Sequence, residues 1–241
     1  MIALFSDFGV SGPYVGQMKA VFTGSLANVP VIDLMHDAPQ FNSRSSSYLL
    51  AAITNYLPKE MIVVAVVDPG VGSPRKALAL CADDRWFVGP DNGLLEVVAN
   101  HAEKTFWYEI NYDQSRVSAS FHGRDVFAPA ALKLLKKENL NSFLSPVKSR
   151  AVNNELDLQE IIYIDSYGNL MTGIRASVLS KKDKLNFKGD ELTQCTTFSD
   201  VVQGQPLFYE NSQGLIEIAV NSGCAKTRFN ASIGDKVIVT N

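Results

Sequence analysis

Met61-Ile62-Val63-Val64-Ala65-Val66-Val67 runs straight into Asp68-Pro69-Gly70-Val71-Gly72, and the fold is decided at that junction. An unbroken apolar run rich in β-branched residues, with no polar alternation, is the pattern of a strand buried on both faces. It is far too short to cross a bilayer, which takes about 20 apolar residues. The Asp-Pro-Gly that follows is turn chemistry and ends the strand abruptly. A strand buried on both faces needs a covering layer on each side, so helices are expected around it.

Working outward, Ile2–Phe5 and Val31–Leu34 repeat the same short buried pattern. Between them, Tyr14–Leu26 places Tyr14, Met18, Val21 and Phe22 on one helical face. Ser43–Tyr56 does the same with Tyr48, Leu49, Ala52 and Tyr56, after the cap candidates Asn42 and Ser43 and before the stop at Pro58. Val126–Lys137 reads as a third helix whose Pro129 sits in the first turn, where backbone N–H groups lack helical partners anyway. This alternation predicts an α/β domain over residues 1–145, with a mainly parallel sheet and helices on both faces. Glu138–Asn154 is polar and reads as a linker. Beyond it helical periodicity fades, and Ile161–Ile164, Leu207–Tyr209, Leu215–Val220 and Lys236–Thr240 look like strands parted by Gly-containing turns. A smaller all-β domain over residues 155–241, a barrel or sandwich, is therefore expected.

Composition narrows the partners. The chain has 241 residues, 46% hydrophobic and 20% charged, with a formal net charge of −3, so no general attraction to a phosphate backbone is expected. Cys81, Cys195 and Cys224 are odd in number and scattered, which fits neither a disulfide framework nor zinc spacing and suits a reducing cytoplasm. Met1 leads directly into Ile2-Ala3-Leu4-Phe5 and then Asp7, without the basic and long apolar regions of a secretory leader. A cytoplasmic protein with neither membrane nor nucleic-acid partners is the expectation.

In an open α/β sheet, ligands bind beyond the carboxyl ends of the strands. Four polar segments fall there: Ser6-Asp7-Phe8-Gly9, His36-Asp37-Ala38-Pro39, Asp68-Pro69-Gly70 with Arg75, and Phe121-His122-Gly123-Arg124-Asp125 at the start of the third helix. Taken singly, each has a plainer reading. Asp after a strand is often a cap or turn former, and Asp-Pro-Gly is a turn in its own right. His122 to Asp125 reads equally as a salt-bridged helix start, and His36 and His101 read as packed or solvated. No Lys-Ser or Lys-Thr follows the glycines, so this is no phosphate-binding Walker loop. There is no Gly-x-Ser-x-Gly elbow, and no Cys lies near a His in the sequence. Spacing gives no support to a metal site from Asp7, His36, Asp37 and His122. The joint placement at the strand ends is what points to chemistry.

At these residues the chain resembles the S-adenosyl-L-methionine hydroxide adenosyltransferase family, hydrolases related to bacterial fluorinases and chlorinases. The resemblance rests on Ser6-Asp7-Phe8-Gly9 with Tyr14-Val15-Gly16-Gln17-Met18-Lys19, on Asp68 to Gly72 with Arg75, and on Pro90-Asp91-Asn92-Gly93. It continues through Phe121 to Pro129 and Asp165-Ser166-Tyr167-Gly168-Asn169-Leu170. It implies an N-terminal α/β domain, a C-terminal β-barrel, and a homotrimer with substrate between neighbouring subunits. It also implies roles for residues. Asp7 would take the ribose hydroxyls, and Asp68, Arg75 and His122 would hold and activate a water. Phe41 would be the aromatic offered to a neighbour's site; read from its place just before the helix cap alone, it can also staple its own helix. Asp165 would lie by the methionine amine and Ser212 on the methionine side. Asn169 and Phe198 would hydrogen-bond and stack the adenine, with the main chain of Val220 and Ser222 nearby.

The chain departs from the family where Gly12 replaces an acidic residue, Gly173 an Asn, and Gln213 an Arg found in some relatives. All three lie where methionine recognition is implied, so another 5′-substituted adenosine is an alternative substrate. The implied reaction is hydrolysis of S-adenosyl-L-methionine at ribose C5′, with no metal or organic cofactor. A halide-using adenosyltransferase and a non-catalytic nucleoside-binding protein are the alternatives. Fluorinases carry tyrosine at the Asp68 position and an insertion that is missing here, which weighs against the halide reading.

Overall fold

The computed structural model describes residues 1–25, 29–148, 150 and 155–240. The chain divides into two compact units, Met1–Ala51 with Leu57–Asn154, and Ala52–Tyr56 with Glu155–Asn241.

The first unit is built on β1 (Ile2–Ser6), β2 (Val31–Met35), β3 (Ile62–Val66), β4 (Ala77–Ala82), β5 (Arg85–Pro90), β6 (Thr105–Ile110) and β7 (Leu144–Pro146). They form one sheet in the order β2-β1-β3-β5-β4-β6-β7. Its helices are α1 (Tyr14–Thr23), α2 (Ser43–Thr54) up to Ala51, α3 (Glu96–His101) and α4 (Ala128–Leu135). β1 and β3 are buried at every position, as the apolar runs predict. One face of the sheet, through Ile2, Leu4, Val64 and Val66, packs on Val15, Met18 and Phe22 of α1 and on α4. The alternate residues Ala3, Phe5, Val63 and Ala65 are buried as well, so the opposite face is also covered.

The sheet is mixed rather than mainly parallel. β2, β1, β3 and β5 run parallel, whereas β4, β6 and β7 pair antiparallel. The reversal comes from the two-residue loop Asp83-Asp84 between β4 and β5. Both residues have positive φ, 45° and 67°, the geometry of a tight hairpin turn whose twist matches its strands. Helix ends shift too. α1 stops at Thr23 with Gly24 as its C-cap, and its expected end at Leu26 lies outside the described residues. Asn42 caps α2 by accepting the Ser45 N–H at 3.0 Å. The last part of the expected linker, residues 149 and 151–154, also lies outside the described residues.

The second unit holds β8 (Leu158–Ile164), β9 (Leu170–Arg175), β10 (Lys184–Phe187), β11 (Asp190–Gln194), β12 (Pro206–Glu210), β13 (Leu215–Val220), a short helix α5 (Ala225–Phe229) and β14 (Ile238–Thr240). The strands lie in the order β14-β10-β11-β12-β13-β9-β8. All neighbours are antiparallel except β11 and β12. A bridge between Glu160 and Lys236 ties the β8 edge to the segment leading into β14, so the sheet curls as a half-barrel. Its core is Ile161, Leu170, Phe187, Phe208, Ile218 and Phe229 with their neighbours. The expectation of an all-β domain needs one correction, since α5 packs on β13 and contributes Ala225 and Phe229 to that core.

Candidate active site

Asp68 follows β3 directly, and the turn after it brings the chain back on itself. Gly72 makes the return possible: its φ is +80°, and a Cβ there would lie 2.6 Å from the Ala119 carbonyl oxygen. Arg75 then reaches Asp68 in a two-pronged contact. Its Nε donates to Oδ1 at 2.9 Å and its Nη2 donates to Oδ2. The two side chains are only 8% and 4% exposed. A third donor of the same guanidinium reaches the Lys76 carbonyl at 3.1 Å, and its Cζ lies 5.5 Å from the Phe127 ring centroid. Asn92 steadies the strand end, donating to the Val67 carbonyl at 2.8 Å.

His122 enters from the other side of the chain. Arg75 Nη2 lies 2.9 Å from His122 Nδ1. A guanidinium has donors only, so Nδ1 must accept and the imidazole is neutral with its proton on Nε2. Burial holds the His122 pKa below its ordinary value, and Arg75 presses it the same way against the weaker opposing pull of Asp68 and Asp125. The backbone after His122 is a π-turn, Gly123–Phe127, that runs into α4. The helix thus begins three residues before the expected Val126. Pro129 cannot donate to the preceding turn, and the wider ring, closed by Ala128 N–H to Gly123, accommodates that missing bond. Arg124 and Asp125 form the salt-bridged helix start, with Arg124 also reaching Gln17 of α1 at 2.9 Å.

Asp7 follows β1 and accepts the Phe41 N–H at 3.0 Å. Burial raises its pKa above the ordinary carboxylate value, and the charge of Asp68 pushes it the same way while the Phe41 N–H opposes. Phe41 itself is 75% exposed and has φ 57°, a left-handed conformation rare for an aromatic. Next to Asp7 in the chain begins a network that sequence reading left unrecognised, buried at Ser6 and His36, partly exposed at Lys19 and exposed at Asp33. Ser6 Oγ lies 2.8 Å from His36 Nδ1, His36 Nε2 lies 3.0 Å from Asp33 Oδ1, and Lys19 closes on Asp33 at 2.6 Å. Only its placement was legible, since Ser6 and His36 end neighbouring strands.

The second unit carries its own cavity of about 880 Å³, lined by Asp165, Asn169, Phe198, Ser212, Val220 and Ser222 among others. Asp165 Oδ1 accepts the backbone N–H groups of Tyr167 and Asn169 at 2.9 and 2.8 Å, which ties off the turn between β8 and β9. Gly168 at that turn has φ +83°, and a Cβ there would strike Cys224 Sγ. Phe198 meets Tyr209 edge-on, centroids 5.1 Å apart. Tyr209, Asn211 and Glu217 also line the cavity and were not foreseen. The available signal was Glu217, one charge inside the apolar strand Leu215–Val220. Of the three departures, Gln213 lines the cavity and Gly173 does not: a Cβ on Gly173 would lie 2.6 Å from Leu158 Cβ, so it is a close-packing position between β9 and β8. Among the described residues, no three His, Cys, Asp or Glu side chains are grouped to hold a metal.

A mixed α/β unit with a buried carboxylate–guanidinium–imidazole cluster, followed by a half-barrel with a polar and aromatic cavity, defines a two-part enzyme class. Family comparison resolves the same two parts: the S-adenosyl-L-methionine hydroxide adenosyltransferase N-terminal domain matches residues 2–144 and the C-terminal domain residues 159–238. The chain belongs to this family. It is similar to the (R)-S-adenosyl-L-methionine hydrolase of Thermus thermophilus, 35% identical over 93% of each chain. The fluorinase of Actinopolyspora mzabensis is more distant, 23% identical over 100% of this chain and 97% of its own. Among solved structures, an uncharacterized conserved protein from Thermotoga maritima superposes with a TM-score of 0.89 at 30% identity, covering 100% of both chains.

Proposed function

We propose that the protein hydrolyses (R)-S-adenosyl-L-methionine to adenosine and L-methionine by attack of water on ribose C5′. The observation that carries this reading is the Asp68–Arg75–His122 cluster, in a chain whose nearer curated relatives are named as such hydrolases. The water oxygen forms the new bond to C5′ while the C5′–S bond breaks. Sulfur leaves as the neutral thioether of methionine, so no acid is needed to release it. One proton of the water is lost to solvent by way of the cluster.

Within that scheme Asp68 accepts or orients the water's proton through lone pairs its Arg75 bonds leave open. Neutral His122 holds the water's oxygen with its Nε2–H, and Arg75 fixes both partners while its charge favours hydroxide character. Asp7 takes the ribose diol, a two-oxygen acceptor for two hydroxyls. Asp165 and Ser212 serve the methionine end, and Asn169, Phe198 and the main chain of Val220 and Ser222 the adenine. The raised pKa of Asp7 suits a group that gains hydroxyl donors when substrate arrives. The reaction as written consumes no metal or organic cofactor. We place the enzyme in the cytoplasm as a homotrimer, with substrate held between neighbouring subunits and Phe41 covering the neighbour's ribose. Incubation with S-adenosyl-L-methionine, with and without halide, followed by chromatographic separation of adenosine from 5′-halo-adenosine, tests the reading. Adenosine formation at the same rate without halide is expected. A halogenated nucleoside, or no turnover, rejects it.

A further inference from the structure

Glu217 is a charged residue in the middle of a strand buried at all positions, and it is only 4% exposed. Both of its oxygens are taken by neutral donors. Tyr209, its register partner across β12 and β13, donates its hydroxyl to Oε1. Asn211 Nδ2 donates to Oε2 at 2.9 Å. Among the described residues no Lys, Arg or His lines this cavity. A buried carboxylate held by neutral donors is costly, and an apolar replacement would serve the fold as well. Its two partners show what it does instead.

Tyr209 supports the edge of Phe198, 5.1 Å between centroids. Asn211 Oδ1 accepts the backbone N–H groups of Gln213 and Leu215, each at 3.0 Å, and so shapes the turn that presents Ser212 to the cavity. The carboxylate therefore reaches two walls of the cavity at once. Burial, and after it the bond to Glu217, drives the Tyr209 pKa far up, so its hydroxyl stays a donor.

We propose that Glu217 is the positioning residue of this cavity, one carboxylate that sets the Phe198 wall through Tyr209 and the Ser212 turn through Asn211. The inference rests on the function proposed above, and deepens it: the adenine end and the methionine end of one substrate are registered against a common buried group.

The hydrogen-bond pattern supplies its own test. In Glu217→Gln one of the two accepting oxygens becomes an N–H donor. Turned toward Asn211 it meets an amide that cannot flip because its oxygen already holds two backbone N–H groups, and turned toward Tyr209 it takes away the acceptor of that hydroxyl. In Asn211→Asp two carboxylates face each other. In the double variant, the introduced amide donates to the introduced carboxylate while its oxygen still accepts from Tyr209, so the pattern is restored with the charge moved by one group. Steady-state kinetics on S-adenosyl-L-methionine, with melting temperatures for all four proteins, should show KM raised about tenfold in each single variant. The value of kcat should stay within about threefold, since Asp68, Arg75 and His122 are untouched, and the double variant should recover most of the KM loss. Tyr209→Phe, a milder change that keeps the ring beside Phe198, should raise KM in the same direction. Unchanged KM in Glu217→Gln and Tyr209→Phe, or a double variant no better than its parents, overturns the proposal. A wild-type protein that does not hydrolyse S-adenosyl-L-methionine rejects the function instead. Adenosine titration of the same proteins then decides: the same ordering of affinities supports Glu217, and equal or absent binding overturns it.

Discussion

Arg75 Nη2 and His122 Nδ1 lie 2.9 Å apart, and this one contact fixes the protonation state of the histidine. Arginine has no lone pair to offer, so the imidazole must be the acceptor and neutral. The same guanidinium grips both oxygens of Asp68. A single side chain therefore aligns an acceptor, Asp68, and an N–H donor, His122.

The pH dependence follows from that arrangement. The folded His122 pKa is lowered, first by burial and then by Arg75, relative to an unfolded value of about 6.5. Above about pH 6.5 both states hold a neutral imidazole, and the contribution of this contact is whole. As pH falls through the depressed folded value, Nδ1 gains a proton and faces a guanidinium, so stability and activity are lost together. We expect kcat/KM to show an acid limb below about pH 6.5 that disappears in His122→Asn. An acid limb unchanged in that variant would assign it to another group.

Asp68→Ala and His122→Ala should each lower turnover by roughly 10²–10⁴-fold, the usual contribution of a positioned acid–base group. Adenosine affinity should change much less, because neither residue is assigned to the nucleoside. Single-turnover rates with calorimetric adenosine titration separate the two effects. Wild-type turnover in either variant removes that residue from the mechanism.

Much of this arrangement was legible because it follows from local chemistry. The buried runs Ile2–Phe5 and Met61–Val67 set the strand ends, and strand ends set where Asp7 and Asp68 stand. The direction of β4 was not legible from periodicity, since a short apolar run such as Ala77–Ala82 reads the same parallel or antiparallel. The deciding feature was the pair of left-handed aspartates at 83 and 84, which carries no apolar pattern at all. Likewise Ser6 and His36 stand 30 positions apart and meet only through strand pairing, and Tyr209 and Glu217 meet because the register of one antiparallel pair sets them opposite each other, which no apolar pattern announces.

Ser6→Ala tests the first of those networks. It removes the hydroxyl that faces a 5% exposed His36 and leaves Nδ1 without that partner. A loss of about 1–3 kcal/mol of stability is expected from a buried ring nitrogen left without its partner. Chemical denaturation should show it as a shift in midpoint at unchanged slope. A variant as stable as wild type would mean the contact contributes nothing.

Phe198→Ala should weaken nucleoside binding by about 1–3 kcal/mol, the range for an aromatic stacked on a base. Phe198 is 37% exposed, so little of the effect should appear in the melting temperature. Adenosine titration reads it directly, and an unchanged dissociation constant would place the base elsewhere.

Phe41 joins assembly to activity. An aromatic that is 75% exposed and held at φ 57° costs the isolated chain twice, in apolar surface and in backbone strain. Its backbone N–H bond to Asp7, the residue assigned to the ribose, keeps that conformation in place. A neighbouring subunit that covered the ring would recover the exposed area, and the strained backbone would then serve the shared site. Light scattering at assay concentration should accordingly give about three times the 26.4 kDa chain mass. Phe41→Gly relieves the left-handed strain, so the fold should be no less stable, by up to about 1 kcal/mol in its favour. Activity should nevertheless fall, and the trimer should dissociate at higher concentration than wild type. A fully active monomer, or a Phe41→Gly protein with wild-type assembly and turnover, would show that this aromatic serves neither the interface nor the site.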